Sequence, residues 1–258
     1  VKSLEDVEKL VKWPFLGCVP IIDLKANITE FEKDLLTHLK PKDPTAEAYR
    51  AIRTSVFFSS TEERPLRSML VTSPGPKEGK TTTVCNLVIV IGQFDRKVLI
   101  VDADMRMPRL HEVFKKKNEK GLSDFLCGQA KLEDIVQKTD IENIFIISGG
   151  SYPPNPSELL SSHKMKQFIE AAKKKYDFIL FDTPPAAVVT DAVVLSKAAD
   201  GVIMVVESGK TSRRALPRVS KVLDDAKARI VGTLLNKVPI KSSSYHYYYY
   251  TQYYGKTR

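Results

Sequence analysis

The chain has 258 residues, of which 43% are hydrophobic and 28% are charged, a globular balance that excludes global disorder, collagen and a coiled coil. The longest apolar runs, Leu87–Ile91 and Val202–Val206, have five residues each, which excludes a membrane-spanning helix of ~20 residues within this sequence. The net charge of +9 comes from basic residues spread along the chain, a distribution that predicts no nucleic-acid partner.

From residue 68 onwards, short apolar runs alternate with helical patterns. The predicted strands are 68–72, 97–101, 143–147, 177–181, 201–206 and 229–235, and the predicted helices are 80–93, 157–175, 191–197 and 211–226. Strands that are apolar on both faces and joined by helices indicate a parallel sheet covered on both sides. The predicted fold class is therefore α/β, with a doubly wound, mainly parallel sheet.

Two segments stand outside this predicted core. Residues 1–67 are charged and mainly helical in pattern, with an apolar insert at 15–22, and residues 241–258 form a low-complexity tail. We therefore predict a helical amino-terminal extension (1–67), an α/β core (68–240) and a flexible tail (241–258). The three cysteines are scattered and odd in number, which predicts free, buried thiols in a reducing compartment.

A phosphate-binding loop is predicted after the first core strand. The loop, 73–82, reads SPGPKEGKTT and opens a helix, where backbone N–H groups and the helix dipole favour an anion. Gly79 lets the backbone approach a phosphate, Lys80 would reach the β- and γ-phosphates, and the Thr81 hydroxyl would bind Mg²⁺. Pro74 stands where the usual pattern has its first glycine, and a plain turn before a basic helix is the alternative. The other predicted nucleotide contacts are Gly75, Lys77, Glu78 and Thr82.

Two further core strands end in carboxylates. Asp102 and Asp104 follow the strand at 97–101, and Asp182 follows the strand at 177–181. Because the carboxyl ends of parallel strands share one edge of a sheet, all three should lie beside the phosphate loop. Mg²⁺ prefers oxygen ligands, and phosphoryl transfer needs a group that positions the nucleophile. Each aspartate alone could be a turn or a helix cap, but together they predict a nucleotide site.

These motifs resemble those of deviant-Walker P-loop ATPases and, more closely, those of the bacterial tyrosine kinases that regulate exopolysaccharide and capsule synthesis. Residues 79–81 correspond to Walker A, 102–106 (DADMR) to Walker A′ and 182–185 (DTPP) to Walker B. The resemblance covers nearly the whole chain. It implies a P-loop ATPase fold, ATP and Mg²⁺ as cofactors, and transfer of phosphate to tyrosine.

The resemblance also implies the roles of individual residues. Lys80 would stabilise the transferred phosphoryl group, and either Asp102 or Asp104 would act on the tyrosine hydroxyl. The implied magnesium ligands are Thr81, Asp102 and Asp182. Asn236, after the last strand, would hydrogen-bond adenine, with a plain turn residue as the alternative.

Seven of the ten tyrosines lie within residues 245–254. A core strand, a stacking surface for bases or sugars and an aggregation-prone segment are alternative interpretations. In the resembled kinases a terminal tyrosine cluster is the autophosphorylation substrate, and each phosphate adds about −1.5 to −2 of charge. The implied phosphorylation sites are Tyr245, Tyr247, Tyr248, Tyr249, Tyr250, Tyr253 and Tyr254.

Glu47, Arg50 and Arg53 are spaced three residues apart, on one face of a predicted helix. A solvated face with a weak local ion pair is the simpler interpretation. In the resembled kinases an E-x-x-R-x-x-R motif contacts the next subunit of a ring. The resemblance therefore implies a homo-oligomeric ring, for which it suggests an octamer, and phosphate transfer between subunits.

The segment 1–22 resembles the juxtamembrane stretch of single-chain family members, in which a membrane anchor precedes the kinase. This implies the cytoplasmic domain of an inner-membrane protein, activated by a membrane-anchored part of the same chain before Val1, and a cognate phosphotyrosine phosphatase. Two alternatives remain. One is a partition-type ATPase that switches dimerisation or membrane binding, and the other is a nucleotide-sensing scaffold whose tail binds a partner.

Overall fold

The computed structural model describes residues 1–22, 29 and 31–239. The strands in chain order are β1 (Phe15–Pro20), β2 (Ser68–Thr72), β3 (Val98–Asp102), β4 (Val136–Lys138), β5 (Ile144–Ile147), β6 (Phe178–Asp182), β7 (Gly201–Glu207) and β8 (Ile230–Val238). They form one sheet in the order β1-β8-β7-β2-β6-β3-β5-β4, in which only β4 runs antiparallel to its neighbour. The predicted α/β class with a mainly parallel sheet is confirmed.

Helices cover both faces of this sheet. In chain order they are α1 (Leu4–Leu10), α2 (Leu36–Leu39), α3 (Pro44–Phe58), α4 (Lys80–Gly92), α5 (Leu110–Val113), α6 (Leu122–Cys127), α7 (Leu132–Ile135), α8 (Pro156–Ser161), α9 (His163–Lys173), α10 (Asp191–Leu195) and α11 (Ala215–Asp225), with a 3₁₀ turn at Glu32–Leu35 before α2. Two clusters of buried apolar side chains, from strands and helices alike, pack between the sheet and its helical layers. Within the described part of the chain, no helix combines the length and apolarity needed to cross a bilayer.

The amino-terminal segment is partly built into the core. β1 pairs in parallel with β8, from Phe15 opposite Thr233 to Pro20 opposite Val238, and α1 buries Val7 against the same cluster as the core strands. The prediction that residues 1–67 stand outside the core is therefore wrong for α1, for β1 and for α3, which buries Tyr49 and Ile52 in the second apolar cluster. The physical reason is that β1 buries five of its six residues at the edge of the sheet.

Two smaller predictions also differ from the structure. The helix predicted at 157–175 is two helices, α8 and α9, because Ser162 is extended (φ −67°, ψ 156°) and its hydroxyl caps α9 by accepting from the Met165 N–H. All three thiols are free, as predicted, but only Cys18 and Cys85 are buried. Cys127 is exposed at the end of α6, so the expectation of burial is wrong there.

Candidate active site

The phosphate loop, 73–82, follows β2 in the middle of the sheet and includes Gly79, the residue before α4. Gly79 has φ +97°, a conformation that favours glycine. A Cβ atom there would lie 2.1 Å from the Asn236 Nδ2 atom. That same amide donates a hydrogen bond of 2.9 Å to the Glu78 carbonyl oxygen. The loop is therefore held against the end of β8, and Asn236 has a loop-positioning contact within the chain.

Gly79→Ala is expected to lower ATP affinity about tenfold or more, because a strained backbone costs ~1–3 kcal/mol and the new methyl group displaces the Asn236 amide. Titration with a fluorescent ATP analogue measures the effect. Gly209→Ala is the matched control, since Gly209 also has a positive φ (+79°) but a Cβ atom there would have no heavy atom within 4 Å. Equal ATP affinity in the Gly79→Ala variant and the wild type would contradict this account of the loop.

Asp182, the last residue of β6, contacts the phosphate loop through Thr81. The Thr81 hydroxyl donates to Asp182 Oδ2 at 2.6 Å. Asp182 Oδ1 is buried and has no hydrogen-bond partner among the described residues. Burial raises the pKa of Asp182 to about 7, although the positive charge of Lys80 and the Thr81 hydrogen bond lower it. A buried, unsatisfied carboxylate oxygen beside a hydroxyl fits a hard cation such as Mg²⁺.

Asp102 lies directly opposite Asp182 in the register of β3 and β6. Its Oδ2 atom accepts the backbone N–H groups of Arg109 (2.8 Å) and Leu110 (2.9 Å). Its Oδ1 atom is buried, without a hydrogen-bond partner in the described chain. Burial and the neighbouring Asp182 charge raise the Asp102 pKa well above its ordinary value. This second unsatisfied oxygen also fits a cation.

Asp104 is less buried than the other two aspartates. Its Oδ1 atom accepts the Met107 N–H at 3.1 Å. Burial raises its pKa, while hydrogen bonds from the Met107 and Arg106 backbone and the charge of Lys80 lower it. Lys80 therefore acts electrostatically on both Asp104 and Asp182. The three carboxylates and the loop lysine converge, as the sequence predicted.

A cleft of about 730 Å³ opens beside these residues. Six of the eight predicted nucleotide contacts line it, namely Lys77, Gly79, Lys80, Thr81, Thr82 and Asn236. Glu78 and Gly75 do not line the cleft. The buried Glu78 carboxylate instead accepts the Thr211 hydroxyl at 2.8 Å. Gly75 lies against this carboxylate, since a Cβ atom on Gly75 would be 3.0 Å from Glu78 Oε1. Apolar residues 20–22, from the last residue of β1 onwards, also line the cleft. The amino-terminal strand thus completes the cleft.

Asp34 and Arg109 belong to the site but were not predicted. Asp34 is fully buried on the 3₁₀ turn, where it accepts the Thr82 hydroxyl and pairs with the Arg109 guanidinium at 2.9 Å. Arg109 also lines the cleft, and its backbone holds Asp102. In the sequence, Asp34 lies in a charged, helical stretch and gives no signal that separates it from a solvated face.

The predicted interface residues of α3 have different environments. Glu47 and Arg50 form a surface ion pair, and Arg50 also donates to the Pro41 carbonyl oxygen at 2.8 Å. Arg53 is buried, donates to the Val90 carbonyl oxygen at 2.6 Å and stacks 4.0 Å above the Phe94 ring. Arg53 thus joins α3 to the end of α4, and only Glu47 and Arg50 present charge outward. The seven tail tyrosines lie outside the described residues.

Comparison with known sequences gives a consistent result. An AAA domain family matches residues 77–236. Tyrosine-protein kinase YwqD of Bacillus subtilis is 38% identical over 221 residues, which cover 85% of this chain and 93% of YwqD. Tyrosine-protein kinase Etk of Escherichia coli K12 is 37% identical over 209 residues, which cover 81% of this chain but 28% of Etk. The matched region is therefore nearly the whole of YwqD but only about a quarter of Etk.

Comparison with solved structures finds the same fold in a tyrosine kinase domain and in a P-loop ATPase. The kinase domain of Escherichia coli Etk superposes with a TM-score of 0.87 at 32% identity, covering 94% of this chain and 97% of that domain. The septum site-determining protein MinD from Pyrococcus horikoshii, complexed with Mg-ADP, gives a TM-score of 0.57 at 32% identity, covering 66% of this chain and 70% of MinD. The similarity to the Etk kinase domain therefore spans more of the chain than the similarity to MinD does.

Proposed function

Because this chain belongs to the bacterial tyrosine kinases, we propose that it transfers the γ-phosphoryl group of ATP to tyrosine in a Mg²⁺-dependent reaction. The observation that carries the proposal is the convergence of Lys80 with three strand-end carboxylates. Two of them, Asp102 and Asp182, have a buried, unsatisfied oxygen suited to a cation. The third, Asp104, is the most accessible. This division separates metal binding from action on the acceptor.

Each residue then has a defined task. Thr81, Asp102 and Asp182 would hold Mg²⁺, whose charge offsets that of the phosphates when it is bound. Lys80 binds the γ-phosphoryl oxygens and stabilises their charge in the transition state. The tyrosine oxygen forms a bond to the γ-phosphorus as the bond to the β–γ bridging oxygen breaks, and ADP leaves. Asp104 orients the hydroxyl and accepts its proton late, because a phenol with a pKa of ~10 is a poor acid.

The tail cluster at 245–254 is the acceptor in this proposal, and transfer occurs between subunits. A variant with all seven tail tyrosines replaced by phenylalanine keeps the active site but has no tail acceptor. Lys80→Met has the acceptor but lacks the phosphate-binding lysine. When the two are mixed with ATP and Mg²⁺, phosphate is expected on the tail of the Lys80→Met chain, detected by peptide mass spectrometry. If only the wild type is phosphorylated and the mixture is not, transfer is within one chain.

The ring interface is proposed to include Glu47 and Arg50, whose charges face outward on α3. Glu47→Ala/Arg50→Ala is expected to reduce the mass measured by light scattering from an oligomer to a single chain. Lys117→Ala/Glu119→Ala is the matched control, because it removes another exposed ion pair, from the loop that follows α5. An unchanged mass in the α3 variant would contradict the interface.

The wider role that we propose is control of exopolysaccharide or capsule polymerisation or export. A membrane-anchored segment would activate the kinase, and a phosphotyrosine phosphatase would reverse the reaction. The strand β1 supports the activation step, because residues 20–22 at its end form one wall of the nucleotide cleft. An anchor that precedes Val1 would act on this wall through α1 and β1.

A partition-type ATPase switch is the second candidate, and the fold similarity to MinD favours it. This alternative predicts ATP hydrolysis that is independent of the tail and produces no phosphotyrosine. The kinase predicts phosphotyrosine that disappears when the tail tyrosines are replaced. Measuring ADP release and phosphotyrosine in the same sample separates the two functions.

A further inference from the structure

A polar cluster around one buried carboxylate lies near Asp104 and has no role in the reaction described above. Its centre is Asp191, the fully buried first residue of α10. The Arg106 guanidinium donates two hydrogen bonds to the Asp191 carboxylate, at 2.9 and 3.0 Å. The Ser157 hydroxyl donates to the same carboxylate, and the Thr190 hydroxyl donates to Ser157 at 3.1 Å. We call Arg106, Asp191 and Ser157 the loop clamp.

The loop clamp joins three loops that leave adjacent strands. Arg106 follows β3, Ser157 follows β5 and Asp191 follows β6, and these strands are neighbours in the order β6-β3-β5. All three loops therefore lie at the carboxyl edge of the sheet, where Asp102, Asp104 and Asp182 converge. A bidentate arginine–carboxylate pair fixes the relative orientation of the two side chains as well as their distance. A lysine–carboxylate pair fixes only the distance.

The loop clamp is connected to Asp104 through the backbone of one turn. Arg106 and Met107 belong to the turn that follows Asp104, and their backbone hydrogen bonds hold the Asp104 carboxylate. The side chain of Arg106 is anchored to Asp191 by two hydrogen bonds, which tie this turn to the start of α10. The Asp191 carboxylate is fully buried and the Arg106 side chain is 40% exposed. Such a pair is weak support for stability in itself, but its two hydrogen bonds are well suited to hold a geometry.

The same three loops present apolar side chains to solvent. Met107 is 79% exposed, Tyr152 is 73% exposed and Val188 is 63% exposed. They follow β3, β5 and β6 respectively, the strands whose loops the clamp joins. Met107 also lines the nucleotide cleft. Exposed apolar groups on loops at this edge of the sheet suit an aromatic acceptor better than the polar triphosphate of ATP.

We infer that Arg106 and Asp191 are positioning residues for the tyrosine acceptor, which fix Asp104 and the three surrounding loops in the geometry of phosphoryl transfer. This inference rests on the proposed kinase function and adds a role for the arginine of the DADMR motif. In this account Arg106 binds Asp191 and so holds the surrounding loops, and it does not bind the nucleotide phosphates.

The test uses the full chain and a synthetic peptide of residues 241–258 as the acceptor. Arg106→Gln and Asp191→Asn are each expected to lower kcat/KM for the peptide about a hundredfold, the loss that misplacement of a reacting group by ~1 Å causes. The double variant should lose no more than either single variant. Arg106→Lys should fall between Arg106→Gln and the wild type. ATP affinity should stay near that of the wild type in all of them.

Arg96→Gln is the matched control. Arg96 pairs with Asp177 at 3.6 Å, and these residues precede β3 and β6, so the pair sits at the opposite ends of the same two strands. Its removal should leave transfer to the peptide unchanged. Hydrogen–deuterium exchange gives a readout that needs no catalysis: the loops at 104–107, 151–157 and 188–191 should exchange faster in the clamp variants, and the loop at 73–82 should not.

The outcomes separate the clamp from the kinase function. Wild-type transfer to the peptide in Arg106→Gln and Asp191→Asn would overturn the positioning role. A parallel loss of ATP affinity and peptide transfer, with faster exchange at 73–82, would also overturn it, because the pair would then be a general structural element. If the wild type itself does not phosphorylate the peptide, the kinase proposal fails, and the exchange experiment still shows whether the pair holds the three loops.

Discussion

Replacing Lys80 by methionine is expected to lower the rate of phosphoryl transfer by about a hundredfold to a thousandfold or more, the effect of removing one preorganised charge from a transition state. Lys80 begins α4 and lines the cleft, and its charge acts on both Asp104 and Asp182. Methionine keeps the length and the apolar stem of the side chain but cannot bind the γ-phosphoryl oxygens. The fold should be retained, because the packing of α4 depends on residues further along the helix.

The rate of phosphotyrosine formation with saturating ATP and Mg²⁺ measures this effect. Lys175→Met is the matched control, because Lys175 is exposed beyond the end of α9, away from the cleft. Thermal unfolding of both variants checks that the fold is intact. A Lys80→Met protein with a native melting curve and a wild-type rate would contradict the assigned role of this lysine.

Asp182→Asn is expected to stabilise the metal-free protein at pH 8 and to abolish activity. Burial raises the pKa of Asp182 from its ordinary value of 3.8 to about 7. The folded state therefore binds this proton more tightly than the unfolded chain, so stability falls as the pH rises from about 4 to about 7. At pH 8 the carboxyl is ionised in the folded state, and its burial then lowers the free energy of unfolding. Asparagine removes this cost but also removes a charged magnesium ligand.

Urea unfolding in the presence of a chelator, at pH 6 and at pH 8, measures the stability term. The wild type should lose stability between the two pH values, and Asp182→Asn should lose less. Added Mg²⁺ and ATP should restore stability to the wild type at pH 8 and have little effect on the variant. Asp140→Asn is the control, because this carboxylate is 86% exposed in its pair with Lys116. A variant less stable than the wild type at pH 8 without metal would contradict the account.

The central sheet could be predicted because its strands are apolar on both faces. β2 was predicted at its observed bounds, and β3 and β6 were displaced by one residue, which makes Asp102 and Asp182 the last residues of their strands. β1 was missed because it contains Gly17 and Pro20 and pairs with β8 from the other end of the chain. β4 was missed because it has three residues and no buried position.

The site residues that could be predicted are those whose position in the fold follows from the local sequence. Strand ends in a parallel sheet share an edge, so the order of motifs was enough to bring Lys80 and the three aspartates together. Asp34 and Asp191 were not predicted, because their partners Thr82 and Arg106 are distant in the chain. A buried carboxylate with a distant partner looks in the sequence like a surface charge or a helix cap.

The most direct test is intact mass spectrometry of the wild-type protein after incubation with ATP and Mg²⁺, followed by peptide mapping. The account predicts successive additions of phosphate that map to tyrosines within 241–258 and are absent from Lys80→Met treated in parallel. ADP formation without any added phosphate on the protein would contradict the account and favour the ATPase switch.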